Sequence, residues 1–375
     1  MATTFKTFLS NDQASTRTML HEAVPVTGTI VSGTYDTTGT PENVKNYSHG
    51  MFQSVYDYPY LSSSANHILD ITMGYSSKSY LSGASPTVSG STLDQQKKKI
   101  NIYNEMAQVL VGYDTVGNIQ EFDVDGDILA GGAKIQEAFF INFARLLTKD
   151  EIKKGSFSMS FITGGYDPCC VSGGVFTIAD TNAQNAYKVN SPAGEYALLK
   201  VSACDANKGH AVGDTVGQIY YQAGIAVLSA SAIFASQRAG AAKATERPHC
   251  SFFAPNTTAA TGTVWQTMGS GTIQQNADAF RTRLNNISFN NTTELNSTIY
   301  FCRANNTDFN YSTNPTYTNA SKIVVKNNTF DNPVSYITTV GLYSADNELL
   351  AVAKLSEPIK KDPTNELTFR VRLDY

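Results

Sequence analysis

The 375-residue chain carries 28 Lys+Arg against 32 Asp+Glu, a formal net charge of -4, and only 16% of its residues are charged, where about 25% is usual. Such a chain projects no global positive field toward nucleic acid or anionic lipid. With 41% hydrophobic residues it can bury substantial cores, and the neutral polar residues that replace charge suit β structure and turns.

The opening segment, MATTFKTFLSNDQ, has one lysine and a broken apolar run, so no secretory signal is expected. Residues 1–90 alternate short apolar pieces such as AVPVTGTIVSGTY with turn formers and read as a strand and loop region. Within it Phe52, Tyr56, Tyr58, Tyr60 and Tyr75 form an aromatic neighbourhood, which Pro59 keeps from being one helix. A polar aromatic group of this kind suits a protein interface, or equally a small tyrosine-rich core beneath a loop.

Residues 91–155 read as a helical segment. Thr92 and Gln95 make a capping box, and Ile100, Tyr103, Ala107 and Leu110 recur at helical spacing, which predicts a helix over 93–111 ended by Gly112. Ile135, Ala138, Phe139, Asn142, Phe143, Leu146 and Leu147 lie on one broad helical stripe and predict a second helix over 134–150. The Lys97–Lys99 run reads as a solvated helix face, since tracking phosphates takes a patch rather than three lysines.

Residues 156–284 return to short alternating runs, with an Ala/Ser/Gly-rich block predicting a buried helix over 220–237 and a further helix over 273–285. The weakly polar stretch Ile219–Ala235 barely reaches spanning length, so no membrane span is expected. Residues 285–375 read as an antiparallel β module. SYITTVGLY and ELLAVAKL flank the turn Ser344–Asn347, and ELTFRVRLDY alternates throughout, with Leu367, Phe369, Val371, Leu373 and Tyr375 opposite Thr368, Arg370, Arg372 and Asp374. The fold class expected is α+β, predominantly β with a few helices and a C-terminal antiparallel β meander.

Chemistry is sparse. In EFDVDGDILAGG, Glu121, Asp123 and Asp125 match the first positions of a calcium loop, yet Gly132 stands where the closing glutamate belongs. An ordinary Asp/Gly turn is the favoured reading, with Asp123, Asp125 and Asp127 the ligands should a calcium ion bind. Cys169, Cys170, Cys204, Cys250 and Cys302 lack the spacing of a zinc site and read as reduced thiols. His21-Glu22 begins a zincin motif that fails at Pro25, and His49, His67, His210 and His249 have no carboxylate at a telling spacing. The Asn-x-Ser/Thr sequons that crowd the C-terminal half read as an Asn/Thr-rich surface. No cofactor is expected, and the chain reads as a non-enzyme. Arg370 and Arg372 on the last strand are candidates for pairing with acids on a neighbouring strand or subunit.

The stretches NNTTELNSTIYFCRANNTDFNYSTNPTY, SYITTVGLYSADNELLAVAKLSEPIKK and RVRLDY, with STRTMLHEAVP and NYSHGMFQSVYDYPYLSSSANHILDITMGY near the start, resemble a family of virion structural proteins of large contractile-tailed phages of the cyanophage type. The resemblance implies a subunit assembled in the host cytoplasm into the virion, with copies of itself and other virion proteins as partners and no nucleic acid. The neck, collar, tail or baseplate is the expected location. A head decoration or vertex protein is the alternative, and a virion-borne glycan hydrolase the less favoured one, since it would need paired carboxylates at a cleft. The interface anchors expected are Phe52, Tyr56, Tyr58, Tyr60, Arg370 and Arg372.

Overall fold

The computed structural model describes residues 5–32, 42–61, 65–82, 93–128, 131–162, 175–204, 211–230, 268–269, 271–281, 283–312, 316–319, 322–323, 328 and 330–375. These are mostly β, with a large antiparallel sheet and a C-terminal strand meander, as the composition and alternation predict. Strand β1 (Gln13–Thr27) leads into the short helix α1 (Gly28–Ser32) and then β2 (Val44–Asn46), β3 (Gln53–Tyr56) and β4 (His67–Tyr75). Helix α2 (Leu93–Leu110) is followed by β5 (Phe122–Asp123), β6 (Lys134–Ile135), β7 (Glu137–Phe143), the single turn α3 (Arg145–Thr148), β8 (Glu151–Ile152), β9 (Ser158–Ile162) and β10 (Val175–Ala179). Next come α4 (Ala183–Ala186), β11 (Lys188–Ser191), β12 (Gly194–Cys204), β13 (Thr215–Tyr220), β14 (Ile225–Ser229), α5 (Ile273–Arg281) and β15 (Leu284–Ala304). The chain closes with β16 (Thr318–Asn319), β17 (Lys322–Ile323), β18 (Ser335–Tyr343), β19 (Leu349–Lys361) and β20 (Leu367–Asp374).

Two compact units result, one of Met1–Leu20 with Glu294–Tyr375 and one of His21–Thr293, and β1 and β15 contribute residues to both. The larger unit is built on strands in the order β15-β9-β10-β12-β13-β14-β7-β4-β3-β2, with β11 beside β12 and β8 beside β15. Strand β7 lies between β14 and β4, pairing Phe140 with Val227 on one side and with Thr72 on the other. Neighbouring residues of a strand point to opposite faces. Phe140 meets Tyr103 of α2 and Phe122, with centroids 6.3 and 5.7 Å away, whereas Phe139 stacks on Phe280 of α5 at 4.9 Å. The two helices therefore cover opposite faces of β7.

That double burial explains the main departure from the sequence reading. The expected helix over 134–150 is instead β6, β7 and the single turn α3. A strand covered on both faces is apolar at nearly every position, so AFFINF has no alternation to show, and its spacing mimics a helical stripe. The same reason turns the expected helix over 220–237 into the end of β13, a turn at 221–224 and β14, paired Ile219 to Ala226 and Tyr220 to Ile225; residues 231–237 lie outside the described residues. The 273–285 helix is present but stops at Arg281, because β15 begins at Leu284.

Helix α2 agrees with the sequence reading to within a residue at its C-terminus, while its expected cap Thr92 lies outside the described residues. It sits hard against β4: a Cβ on Gly74 would fall 2.5 Å from the Lys99 carbonyl oxygen and 2.8 Å from the Tyr103 nitrogen. Only glycine permits that approach. Lys97 is exposed and Lys98 donates to the His49 carbonyl at 3.0 Å, but Lys99 is fully buried and donates to the carbonyls of Met268, Gly269 and Gly271 at 2.7, 3.1 and 2.6 Å. The expectation of a solvated face for all three lysines is thus corrected for Lys99, whose place is set by the three backbone carbonyls that accept from it.

Candidate functional sites: an aromatic edge, a rooted ribbon and an acidic loop

Three features gather the residues singled out from the sequence. The first lies at the β2–β4 end of the larger unit, where β2 is the outermost strand and only three residues long. Short edge strands limit open pairing, so side chains rather than backbone dominate this edge. Tyr47, His49 and Phe52 form a triangle of rings with centroids 4.8 to 5.1 Å apart. Tyr56 contacts Tyr60 at 5.7 Å and His67 at 5.6 Å, and the Lys45 ammonium lies 4.9 Å over Tyr47 and 5.7 Å over Tyr60. Phe52, Tyr56 and Tyr60 are half-buried and Tyr58 is exposed. Tyr75 is not part of the group, being wholly buried in the core.

Beneath the rings His67 Nε2 lies 2.8 Å from Asp70 Oδ1, to which Ser54 Oγ also donates at 2.5 Å. The Asp70 hydrogen bond holds the His67 pKa above its usual value against the opposing effect of burial. Ser54 and His67 converge on one carboxylate oxygen, so His67 is not placed to deprotonate Ser54 as a nucleophile's base would.

The second feature is the ribbon of β18 and β19 in the smaller unit, a two-stranded sheet that pairs with no other strand among the described residues. Its turn is the one predicted: Asn347 takes φ 65° and donates to the Ser344 carbonyl at 3.1 Å, while the Ser344 N–H reaches the Glu348 carbonyl at 2.8 Å. The root is held by polar contacts. Lys361 is fully buried, and its ammonium donates to Asn310 Oδ1, the Asp362 carbonyl and the Asn306 carbonyl at 2.7, 2.9 and 3.3 Å, while Ser335, its cross-strand partner, donates to the Phe309 carbonyl. Toward the tip the surface is apolar and open: Tyr343, Leu349, Leu350 and Val352 are 45%, 52%, 68% and 52% exposed, and Phe5 packs on Tyr343 with centroids 4.9 Å apart. In the same unit β20 pairs with β15 and buries alternate residues, as its sequence predicts. Arg370 and Arg372 stand on its exposed face. Arg372 pairs with Asp374 of its own strand at 2.7 Å and donates to Ser297 Oγ at 3.1 Å, so within the chain its acidic partner is on the same strand and not on a neighbouring one. Residues two apart on a strand share a face, so the acid lay within the same run.

The third feature is the loop between β5 and β6. Carboxylate oxygens of Asp123, Asp125 and Asp127 lie within 4.8 Å of one another, whereas Glu121 is turned away to Ser76 and to Lys78, the latter at 3.1 Å. Asp123 is held in place by its backbone, paired to Lys134 across the ribbon, with Gln218 Nε2 donating to its carbonyl at 2.5 Å. Of the thiols, Cys302 on β15 is half-buried and free, and burial raises its pKa; Cys169, Cys170, Cys250, His210 and His249 lie outside the described residues.

Two strongly built polar centres, at Asp180 and Arg281, were not singled out from the sequence at all. The buried Asp180 accepts from the N–H groups of Gly155 and Phe157 at 2.6 and 3.0 Å and from the Tyr221 hydroxyl at 2.8 Å. Arg281 reaches Gln53, the Val31 carbonyl and Asp278 at 3.2, 3.1 and 2.9 Å. Each joins residues 23 or more apart in the chain except for the Arg281–Asp278 pair, so no local motif announces them. No described helix is long and apolar enough to cross a membrane. Comparisons with protein-family profiles, with curated proteins and with solved structures gave no match.

Proposed function

We propose that the chain is a structural subunit of a tailed-phage virion, placed in the neck or collar, tail or baseplate, and working through multimeric packing against copies of itself and other virion proteins. The observation that carries this reading is the β18–β19 ribbon. An isolated two-stranded hairpin is marginally stable in water, and this one exposes Tyr343, Leu349, Leu350 and Val352 near its tip while a buried lysine fixes its root. Apolar surface presented on a rooted arm gains most of its stabilisation when a partner covers it. The aromatic edge with Phe52, Tyr56, Tyr58 and Tyr60 supplies a second surface of the composition enriched at interface cores. The long strings quoted above, which resemble contractile-tailed phage virion proteins, point the same way.

The test is a variant with Tyr343→Ser, Leu349→Ser and Val352→Thr, changes confined to exposed positions. The expected result is loss of incorporation into particles with the thermal unfolding of the isolated protein unchanged. A folded variant that enters particles at the wild-type level overturns the role of the ribbon, and cryo-electron microscopy of particles that lack the protein at every virion position overturns the whole reading.

A further inference from the structure

The acidic loop holds more than a turn requires. Asp123 is 1% exposed, and its Oδ1 is buried without a hydrogen-bond partner. A buried carboxylate oxygen left without a donor is costly, and here Asp125 and Asp127 bring further carboxylates within 4.8 Å of Asp123. Gly132 takes φ 79° and closes the same side: a Cβ there would sit 3.7 Å from Asp125 Oδ2 and 3.8 Å from Asp123 Oδ1. The loop thus keeps clear, with a residue that has no side chain, a space bordered by the orphan oxygen. Asp123 Oδ2 is already served by the Lys134 ammonium at 2.8 Å. Three carboxylates drawn this close together repel one another, and a divalent ion between them would relieve that repulsion.

We infer that Asp123, Asp125 and Asp127 bind a Ca2+ ion, with the orphan Oδ1 of Asp123 as the buried ligand. An all-oxygen donor set selects a hard cation. Ca2+ takes its oxygens at about 2.3–2.6 Å, so ligands on opposite sides of it stand about 4.6–5.2 Å apart, and three oxygens within 4.8 Å of one another fit inside that shell; Mg2+ demands near-ideal octahedral geometry and gives up its waters reluctantly, which a loop with one buried ligand and two exposed ones serves less well. The carbonyl of Gly126 is engaged by Tyr196 and Asn190, at 2.9 and 3.2 Å, so water completes the shell on the exposed side formed by Asp125 and Asp127. Glu121 takes no part, so the ligand series starts two residues later than a calcium-loop alignment of the sequence suggests. Lys134 then falls where that loop carries its closing glutamate, and its ammonium competes with the ion.

The experiment titrates the full chain with CaCl2 and with MgCl2 by calorimetry and follows thermal unfolding in parallel. Saturating Ca2+, at about 100 times Kd, is expected to raise Tm by about 5 °C, with Mg2+ weaker. The Asp125→Asn/Asp127→Asn double variant is expected to be at least as stable without metal, since like charges are relieved, and to lose the Ca2+ response. Lys134→Met is expected to bind Ca2+ more tightly by removing the competing ammonium. Absence of heat and of a Tm shift at millimolar Ca2+ in the wild-type protein overturns the inference. A Ca2+ response that survives in the folded double variant overturns the assignment of the ligands.

Discussion

Replacing Lys99 by Met removes an ammonium from a cradle of three backbone carbonyls while keeping a side chain of similar length. Lys99 is fully buried, and burial pushes its pKa down from 10.5 to about 8. An ammonium has three hydrogens to give, and the carbonyls of Met268, Gly269 and Gly271 take all three. The variant leaves those carbonyls buried and unpaired at about 2 kcal/mol each, or about 6 kcal/mol together. It also relieves the desolvation of the charge, which the drop from 10.5 to about 8 sets at about 3.4 kcal/mol, at about 1.36 kcal/mol per pH unit. The expected net loss is therefore about 3 kcal/mol at pH 7, read from urea unfolding followed by circular dichroism.

The pH dependence carries its own sign. A lysine whose folded pKa lies below its unfolded one is charged at a disadvantage in the fold. Its contribution is therefore complete above pH 10.5, falls as pH drops toward 8, and is constant below that. The difference in stability between wild type and Lys99→Met should thus widen by about 3 kcal/mol between pH 8 and 10.5. A loss under about 1 kcal/mol at pH 7, or a difference that stays flat across that range, would refute the carbonyl cradle as the reason for burying this lysine.

Burial pushes the Asp180 carboxyl up to about 6 against the lowering pull of the Tyr221, Gly155 and Phe157 donors. The folded state binds this proton more tightly than the unfolded chain, so its contribution should be lost as pH rises from about 4 to 6, by about 3 kcal/mol, and a difference curve against Asp180→Asn reads it out. Gly74→Ala should cost at least about 2 kcal/mol, because the new methyl would overlap backbone atoms of α2 at 2.5 and 2.8 Å and push the helix off β4; thermal unfolding at wild-type temperature would contradict that packing.

Where polarity and shape alternate in the chain, the structure follows the text. Strand β20 buries Leu367, Phe369, Val371 and Leu373 to a greater degree than their neighbours, and the turn at Ser344–Asn347 closes the hairpin that its residues specify. Helix α2 likewise follows its apolar spacing, because one face is covered and the other meets water. In β7 and β14 that contrast vanishes. Phe139 and Phe140 are both buried, against α5 and α2 respectively, and a run without alternation holds no sign of whether it forms a strand or a helix. The three acids that converge, Asp123, Asp125 and Asp127, are the ones the sequence singles out, whereas Glu121, the first position of the calcium-loop alignment, turns to Ser76 and Lys78.

The low charge noted at the outset has a tertiary counterpart in polar groups that face inward. Lys99, Lys361, Asp180 and Arg281 are all nearly or fully buried and bound to distant backbone or side-chain atoms. The sequence by itself determined that the chain would be mostly β, where its hairpin would turn and which face of its last strand would be buried, because those follow from residues near one another. Only the tertiary structure decided which apolar runs became central strands and which charges went inside. Those outcomes rest on contacts between residues far apart in the chain, whose energies exist only once the sheet has formed.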